Sequence, residues 1–236
     1  MQAIILAGGF GTRLNSITHA KTSKPMALIG SKPFLAYLIE YLIANGITRI
    51  VFSLYFLYQQ IQSYFRNHYQ GVAIDYVVEE NPLGTGGAIV NVLKTMGIRQ
   101  PVFIINGDSF LALDYEHMWR HHAENHSALT LALKFMTDCH RYSVIRLHKN
   151  HIVDFLLCGD DRSCGLINAG IYLLNPDLIT SFSLPQQFSF EAEFLALELQ
   201  KIRPHAFITQ GYFIDIGVPQ DYERALRELP DQRKVL

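Results

Sequence analysis

The chemistry that can be read from this sequence begins at Leu6-Ala7-Gly8-Gly9-Phe10-Gly11-Thr12-Arg13-Leu14, with Lys24-Pro25 following eleven residues after Arg13. Glycines directly after a buried first strand permit positive φ and let backbone N–H groups approach an anion that a Cβ would hold off. Arg13 adds a planar fork matched to phosphate oxygens, and Lys24 adds a compact point charge. From Met1 to Ile39 there are four bases, Arg13, Lys21, Lys24 and Lys32, and the first acid is Glu40. A phosphate drawn to this stretch meets no local carboxylate. The spacing is neither G-x-G-x-x-G with a later acid nor G-x-x-x-x-G-K-[ST], so the dinucleotide and Walker patterns are both unmet. Glycines alone would equally suit an ordinary strand-to-helix turn; the two bases are what point to phosphate.

The elements that must position this loop follow from periodicity. Gln2 to Leu6, Arg49 to Leu54, Val72 to Val78 and Val102 to Ile105 are strand-length apolar runs. Between them Pro33 to Asn45, Leu57 to Phe65, Gly87 to Lys94 and Tyr115 to His122 carry helical spacing. That alternation implies βαβ crossovers and a parallel sheet covered on both faces. After Asn125 the pattern shifts to strands at Leu129 to Phe135, Tyr142 to Leu147, His151 to Phe155 and Leu166 to Leu174, which predicts an antiparallel extension. Helices near Ser189 and Pro219 enclose a strand pair, His205 to Thr209 with Tyr212 to Ile216. The fold class expected is α/β, a Rossmann-like doubly wound sheet, mixed but mainly parallel. One domain spans 1–236, with a nucleotide half to about 125 and a variable half from about 126.

Composition narrows the field. The chain has 236 residues, 49% of them apolar and 17% charged, against roughly 25% charged in an average soluble domain. Disorder is excluded. With 20 Lys+Arg against 21 Asp+Glu, the basic surplus of a general nucleic-acid binder is missing. Cys139, Cys158 and Cys164 are odd in number and lack C-x-x-C spacing, so neither a disulfide framework nor a zinc knuckle is indicated. No basic segment precedes the first apolar run, and no apolar stretch reaches about 20 residues. A cytoplasmic protein with no membrane partner is expected.

Gly8-Gly9-x-Gly11-Thr12-Arg13-Leu14 with Lys24-Pro25 resembles the signature of the sugar-phosphate nucleotidyltransferases, which join a sugar 1-phosphate to a nucleoside triphosphate. The likeness continues in order through Leu83-Gly84-Thr85-Gly86-Gly87-Ala88, Asn106-Gly107-Asp108, Arg141-Tyr142, Asn168-Ala169-Gly170-Ile171-Tyr172, Phe188-Ser189-Phe190-Glu191 and Asp215-Ile216-Gly217-x-Pro219. Leu83 to Ala88 together with Phe188 to Glu191 is most similar to the branch acting on D-glycero-α-D-manno-heptose 1-phosphate with GTP. Mannose 1-phosphate guanylyltransferases and glucose 1-phosphate thymidylyl- or uridylyltransferases are close behind. A nucleotide-sugar-binding regulatory subunit is the non-enzyme alternative.

The resemblance implies a nucleotide site at Leu6, Ala7, Gly8, Gly9, Gly11, Thr12, Arg13, Gly84, Thr85, Gly86 and Gly107. Arg13, Lys24 and Asp108 would be catalytic, and Asn168, Gly170, Glu191 and Tyr142 would contact the sugar phosphate. Such a reaction needs no Ser or Cys nucleophile, because the sugar phosphate is itself an anionic nucleophile. It needs in-line positioning and charge neutralisation, with Mg²⁺ as cofactor on hard oxygen ligands. Asp108, at the carboxyl end of a buried strand, is the first metal candidate, although Asp after Asn-Gly is also a turn former. Asp215 is a lone carboxylate in an apolar run; a metal, an Arg partner or a helix start before Pro219 would each explain it. Glu79 or Glu80 could accept from the N1–H and 2-amino edge of guanine, or stand solvated at a strand end.

Two departures stand out. Many relatives carry an acid and a Lys shortly before the Asn-x-Gly segment, where this chain has Phe155-Leu156-Leu157-Cys158-Gly159; Arg162 could substitute from the next loop. Ser23 stands where a Pro is common. His117, His121, His122 and His126 form two i, i+4 pairs, read as a solvated helix face because no third ligand accompanies them. Phe52, Tyr55, Phe56 and Tyr58 could stack on a base, but core or subunit contacts are commoner, which leaves a homodimer open.

Overall fold

A computed structural model describes residues 1–14, 17, 19, 21–156 and 164–230. The chain divides into two compact units that interleave along the sequence, Met1–Pro82 with Ile105–Ala112 and Tyr212 onward, and Leu83–Ile104 with Leu113–Gly211.

In the first unit the strands Gln2–Leu6, Arg49–Leu54 and Val72–Val78 pair in parallel, with registers Gln2↔Arg49 and Arg49↔Ala73. Ala3, Ile4 and Ile5 are fully buried, as are Ile50, Val51 and Phe52. Continuous apolar runs of this kind belong to a sheet covered on both faces. The helix Phe34–Ala44 buries Phe34, Leu35, Leu38 and Leu42, the side expected from their spacing. It ends at Asn45-Gly46, where Gly46 has φ +84°, a left-handed stop that glycine adopts without strain. Phe52 packs against Phe65, at the end of the helix Tyr58–Phe65, and against Tyr76, at centroid distances of 5.4 and 5.7 Å.

One expected pairing is not formed. Phe213–Asp215 pairs antiparallel with Ser109–Leu111, whereas His205–Thr209 belongs to the second unit and runs parallel to Leu129–Met136. Closeness in sequence suggested a hairpin, but Phe213 and Ile214 are buried and their strand finds its partner about a hundred residues upstream. Phe110 and Tyr212 rings meet there at 6.2 Å, and Ala112 N–H donates to Tyr212 O at 2.8 Å. Long-range apolar burial outweighs the local turn.

The second unit carries the sheet order Val144–His148, His151–Leu156, His205–Thr209, Leu129–Met136, Gly165–Leu174. Gly165–Leu174 is antiparallel to Leu129–Met136 with a register shift between Asn168 and Tyr172, where Gly170 adopts φ +73°. Around this sheet lie the helices Gly84–Thr95, Tyr115–Glu124 and Pro176–Thr180, and a π-helical turn Phe190–Leu195 that runs into Ala196–Ile202. Gly84–Thr95 starts three residues earlier than its apolar spacing suggests. The α/β class and the mixed sheet stand as expected. Cys139 is a buried free thiol and Cys164 an exposed one; Cys158 and Arg162 lie outside the described residues. Among the described residues no helix is long and apolar enough to cross a membrane.

Candidate active site

In the first unit the glycine-rich loop leaves the carboxyl end of Gln2–Leu6. Ala7 N–H donates to Ser53 O at 3.0 Å and Phe56 N–H to Gly8 O at 3.3 Å. A Cβ on Gly8 would lie 3.1 Å from Tyr55 N. Gly11 has φ +63°, and a Cβ there would stand 2.8 Å from the Lys24 Cβ, whereas one on Gly9 would meet nothing within 4 Å. Leu14 N–H closes a short turn onto Gly11 O at 3.0 Å, leaving Thr12 and Arg13 exposed and Leu14 buried. Phe10, 51% exposed, lies on the rings of Tyr55 and Phe56 at 5.6 and 5.5 Å.

Lys24 sits in the 3₁₀ turn Lys24–Met26 and is buried. Gln60 fixes the approach to it, accepting from Ser23 N–H at 2.9 Å and donating to Lys21 O at 2.7 Å. The Lys24 ammonium donates to Asp108 Oδ2 at 2.6 Å and to Asp215 Oδ1 at 3.5 Å. Two local features bring these carboxylates together. Gly107 packs against the first strand, its N–H donating to Leu6 O at 2.9 Å, a position where a Cβ would come within 2.9 Å of that same oxygen. Asp215 then faces Ser109 across the antiparallel ribbon, and Ile216 N–H donates to Asp108 O at 3.1 Å. The Asp108 side chain is 37% exposed, against 18% for Asp215 and 8% for Lys24, so the cluster opens toward solvent on its Asp108 side. The point the two carboxylates share is the Lys24 ammonium; as hard oxygen donors they are nonetheless the one or two protein carboxylates that Mg²⁺, which keeps several waters, accepts. The residues present therefore fit a divalent cation.

Of the two acids considered for the base edge, Glu80 is exposed and Glu79 is buried. Glu79 accepts from the Ser53 hydroxyl at 3.0 Å and its N–H donates to Leu54 O at 2.8 Å. It is not a solvated strand end. Of the aromatics, Phe52 belongs to the core.

A second cluster lies within the second unit. Gly84, with φ +70°, opens the helix Gly84–Thr95. Gly86 faces the Phe188 ring and Gly87 the Gln186 carbonyl so closely that a Cβ on either would overlap them. Gly86 N–H donates to Phe188 O, and Phe188 N–H to Leu83 O, each at 3.0 Å. Thr85 Oγ1 accepts from Phe190 N–H at 2.8 Å and donates to Glu191 Oε2 at 2.9 Å. The other oxygen, Glu191 Oε1, accepts from the Tyr172 hydroxyl at 2.9 Å. Asn168 Nδ2 donates to that hydroxyl at 2.7 Å, and Asn168 Oδ1 accepts from Gly170 N–H at 3.1 Å. Thr85, Asn168, Gly170 and Glu191, drawn from three segments, are thus joined. Tyr142 lies in the loop before Val144, its N–H on Cys139 O at 2.9 Å and its ring beneath the Arg141 guanidinium at 5.5 Å. Sequence reasoning overlooked Tyr172. Its signal was available: a phenol in an apolar strand must find a partner when buried.

The histidines meet expectation only in part: His117 and His126 are exposed, whereas His121 is half-buried. His122 is buried, with Nδ1 on Thr130 Oγ1 at 2.8 Å and Nε2 on Asn175 Oδ1 at 3.1 Å, so this part of the helix is not solvated. His117 and His121 instead edge onto the Phe207 ring at 5.0 and 5.5 Å.

Residues 2–232 match the family described as nucleotidyl transferase. The D-glycero-alpha-D-manno-heptose 1-phosphate guanylyltransferase of Aneurinibacillus thermoaerophilus is 41% identical over 229 residues, covering 97% of this chain and 98% of that protein. Its counterpart in Campylobacter jejuni is 42% identical over 222 residues, covering 94% and 97%. Among solved structures, HddC from Yersinia pseudotuberculosis, crystallised with GMP-PN, superposes with a TM-score of 0.84 at 36% identity, over 96% of this chain and 98% of that one.

Proposed function

The chain belongs to the nucleotidyl transferase family, and we propose that it condenses D-glycero-α-D-manno-heptose 1-phosphate with GTP to give GDP-heptose and pyrophosphate. The observation carrying the chemistry is the convergence of Lys24, Asp108 and Asp215 in the first unit. A phosphate oxygen of the sugar 1-phosphate attacks the α-phosphorus of the triphosphate; the new O–P bond forms as the α–β anhydride bond breaks and pyrophosphate carries off the electron pair. No side chain need be deprotonated, so positioning and charge stabilisation are the protein's whole task. Arg13 serves the triphosphate, over backbone N–H groups that Gly8, Gly9 and Gly11 leave accessible beside Leu6, Ala7, Thr12 and Gly107. Lys24 serves the reacting phosphate. Asp108 and Asp215 would hold Mg²⁺, which when bound supplies further neutralisation of phosphate charge.

In the second unit Gly84, Thr85 and Gly86 would meet the base and ribose, and Asn168, Gly170 and Glu191 the sugar hydroxyls, with Tyr142 nearer the sugar phosphate. Glu79, oriented by Ser53, is the carboxylate proposed for the guanine edge. The choice of heptose and GTP is supported by the two relatives at 41% and 42% identity over nearly their full length. A triphosphate substrate and free thiols at Cys139 and Cys164 suit a reducing, cytoplasmic setting. The deciding experiment is pyrophosphate release over a matrix of GTP, ATP, CTP, UTP and dTTP against heptose, mannose and glucose 1-phosphates. Highest kcat/KM for GTP with heptose 1-phosphate is expected. Preference for mannose or glucose 1-phosphate would overturn the substrate assignment, and nucleotide binding with no release on any pair would favour a regulatory subunit.

A further inference from the structure

We propose that Tyr172 is a positioning residue for the sugar subsite, its buried hydroxyl holding the Glu191 carboxylate and the Asn168 amide in one fixed arrangement. This rests on the reading above in which Asn168 and Glu191 meet the sugar hydroxyls.

The argument starts from what each side chain is free to do. A carboxylate on three rotatable bonds and a primary amide that can flip are poor at defining a hydroxyl's position unless something fixes them. Tyr172 fixes both. Its hydroxyl takes a hydrogen bond from Asn168 Nδ2 at 2.7 Å and gives one to Glu191 Oε1 at 2.9 Å. With Oδ1 occupied by Gly170 N–H, the amide of Asn168 is held in one orientation and keeps one N–H to offer. Glu191, pinned through Oε1 by Tyr172 and through Oε2 by Thr85, retains lone pairs on each oxygen. A fixed donor beside fixed acceptors is what adjacent hydroxyls of a sugar require.

Tyr172 itself cannot be a substrate contact, since no part of it is exposed. Its ring meets Phe190 edge-on at 5.0 Å, and Phe190 stacks on Phe194 at 5.6 Å. Because Phe190 directly precedes Glu191, one turn sets both the ring that holds the phenol and the carboxylate that the phenol holds. The shifted register between Asn168 and Tyr172 is the second requirement: it lets two residues of one strand hydrogen-bond side chain to side chain. Burial, followed by the Glu191 charge, pushes the phenol's pKa far up, so it remains a donor throughout the working pH range.

The test compares Tyr172→Phe, Thr85→Val and Glu191→Gln with wild type in steady-state kinetics and thermal unfolding. Tyr172→Phe should raise KM for the sugar phosphate about tenfold, the scale of a lost hydrogen bond to a charged group, while KM for GTP stays within about twofold. Parallel losses for both substrates with a lowered Tm would overturn the proposal by making Tyr172 merely structural. A wild-type sugar KM in Tyr172→Phe beside a raised one in Glu191→Gln would also overturn it. If Glu191→Gln leaves the sugar KM unchanged, it is instead the sugar-site reading that fails, and the positioning role fails with it.

Discussion

With its ammonium 2.6 Å from Asp108 and 3.5 Å from Asp215, Lys24 stops two carboxylates from facing each other across a poorly solvated gap. Lys24→Met removes that cation and keeps most of the buried stem. Leaving the two acids uncompensated should cost about 1–2 kcal/mol, less than for a fully buried pair because Asp108 is partly solvated, or roughly 3–6 °C in Tm for a chain this size. Turnover should fall roughly 10²–10³-fold, the scale of a lost transition-state charge contact. Added Mg²⁺ should restore part of the lost Tm while leaving turnover low. Differential scanning fluorimetry with and without Mg²⁺ measures this; an unchanged Tm that ignores Mg²⁺ would show that the three groups do not share charge. The sequence made these side chains legible because their types are unusual where they stand: a base in an acid-free stretch and single acids at the ends of apolar runs. Tyr172 was harder to read: a buried phenol needs a partner, but its partnership with Asn168 depends on a register shift that no residue type announces.

Glycines set apart which segments are held by packing. Gly11 at φ +63° carries both the strain of a left-handed conformation and a 2.8 Å approach to the Lys24 Cβ, while Gly9, three residues into the same loop after Leu6, is surrounded by open space. Gly11→Ala should therefore lower stability by about 1–2 kcal/mol and shift Lys24, cutting kcat. Gly9→Ala should leave Tm unchanged and raise only KM for the triphosphate, through a Cβ on the open face of the loop. Equal behaviour of the two variants in unfolding and kinetics would refute this division of the motif. The helix Gly84–Thr95 makes a similar point. Its apolar spacing starts near Gly87 because Gly84 and Gly86 have no side chain to register in a periodicity, yet both are placed by close contact with Phe188. The strand Phe213–Asp215 was legible as a strand but not in its pairing. Ser109–Leu111 is only three residues long, too short to show as a partner, and nothing in a local pattern carries information about a ribbon closed over about a hundred residues.

Across the molecule, the near balance of charge that excluded polyanion binding counts the ten histidines as neutral, and the fold itself favours the neutral form at three of them, His121, His122 and His205. Their placement decides the consequence for stability. His122 is pushed down mainly by burial, with Asn175 opposing and His121 adding; His121 by burial and then His117, with Glu124 opposing; His205 by burial, then His151, His121, His122 and Arg203. The His151 and His205 rings lie 4.2 Å apart, and those of His121 and His205 6.4 Å. A histidine whose folded pKa lies below its unfolded value of about 6.5 is held neutral by the fold, so on acidification the unfolded chain takes up protons first. The stability these groups contribute is full above about pH 7 and declines as pH falls through 6.5. A Tm profile from pH 7.5 to 5.0 should therefore slope downward on the acid side. His122→Gln keeps a hydrogen-bonding head near Thr130 and Asn175 but cannot titrate, and should flatten that slope. A wild-type Tm that is level or rises on acidification, or an identical slope in the variant, would refute it. The lack of a third ligand reads His117, His121, His122 and His126 as a solvated face; the partner that draws His122 inside, Asn175, stands 53 residues away, beyond the reach of any helical periodicity.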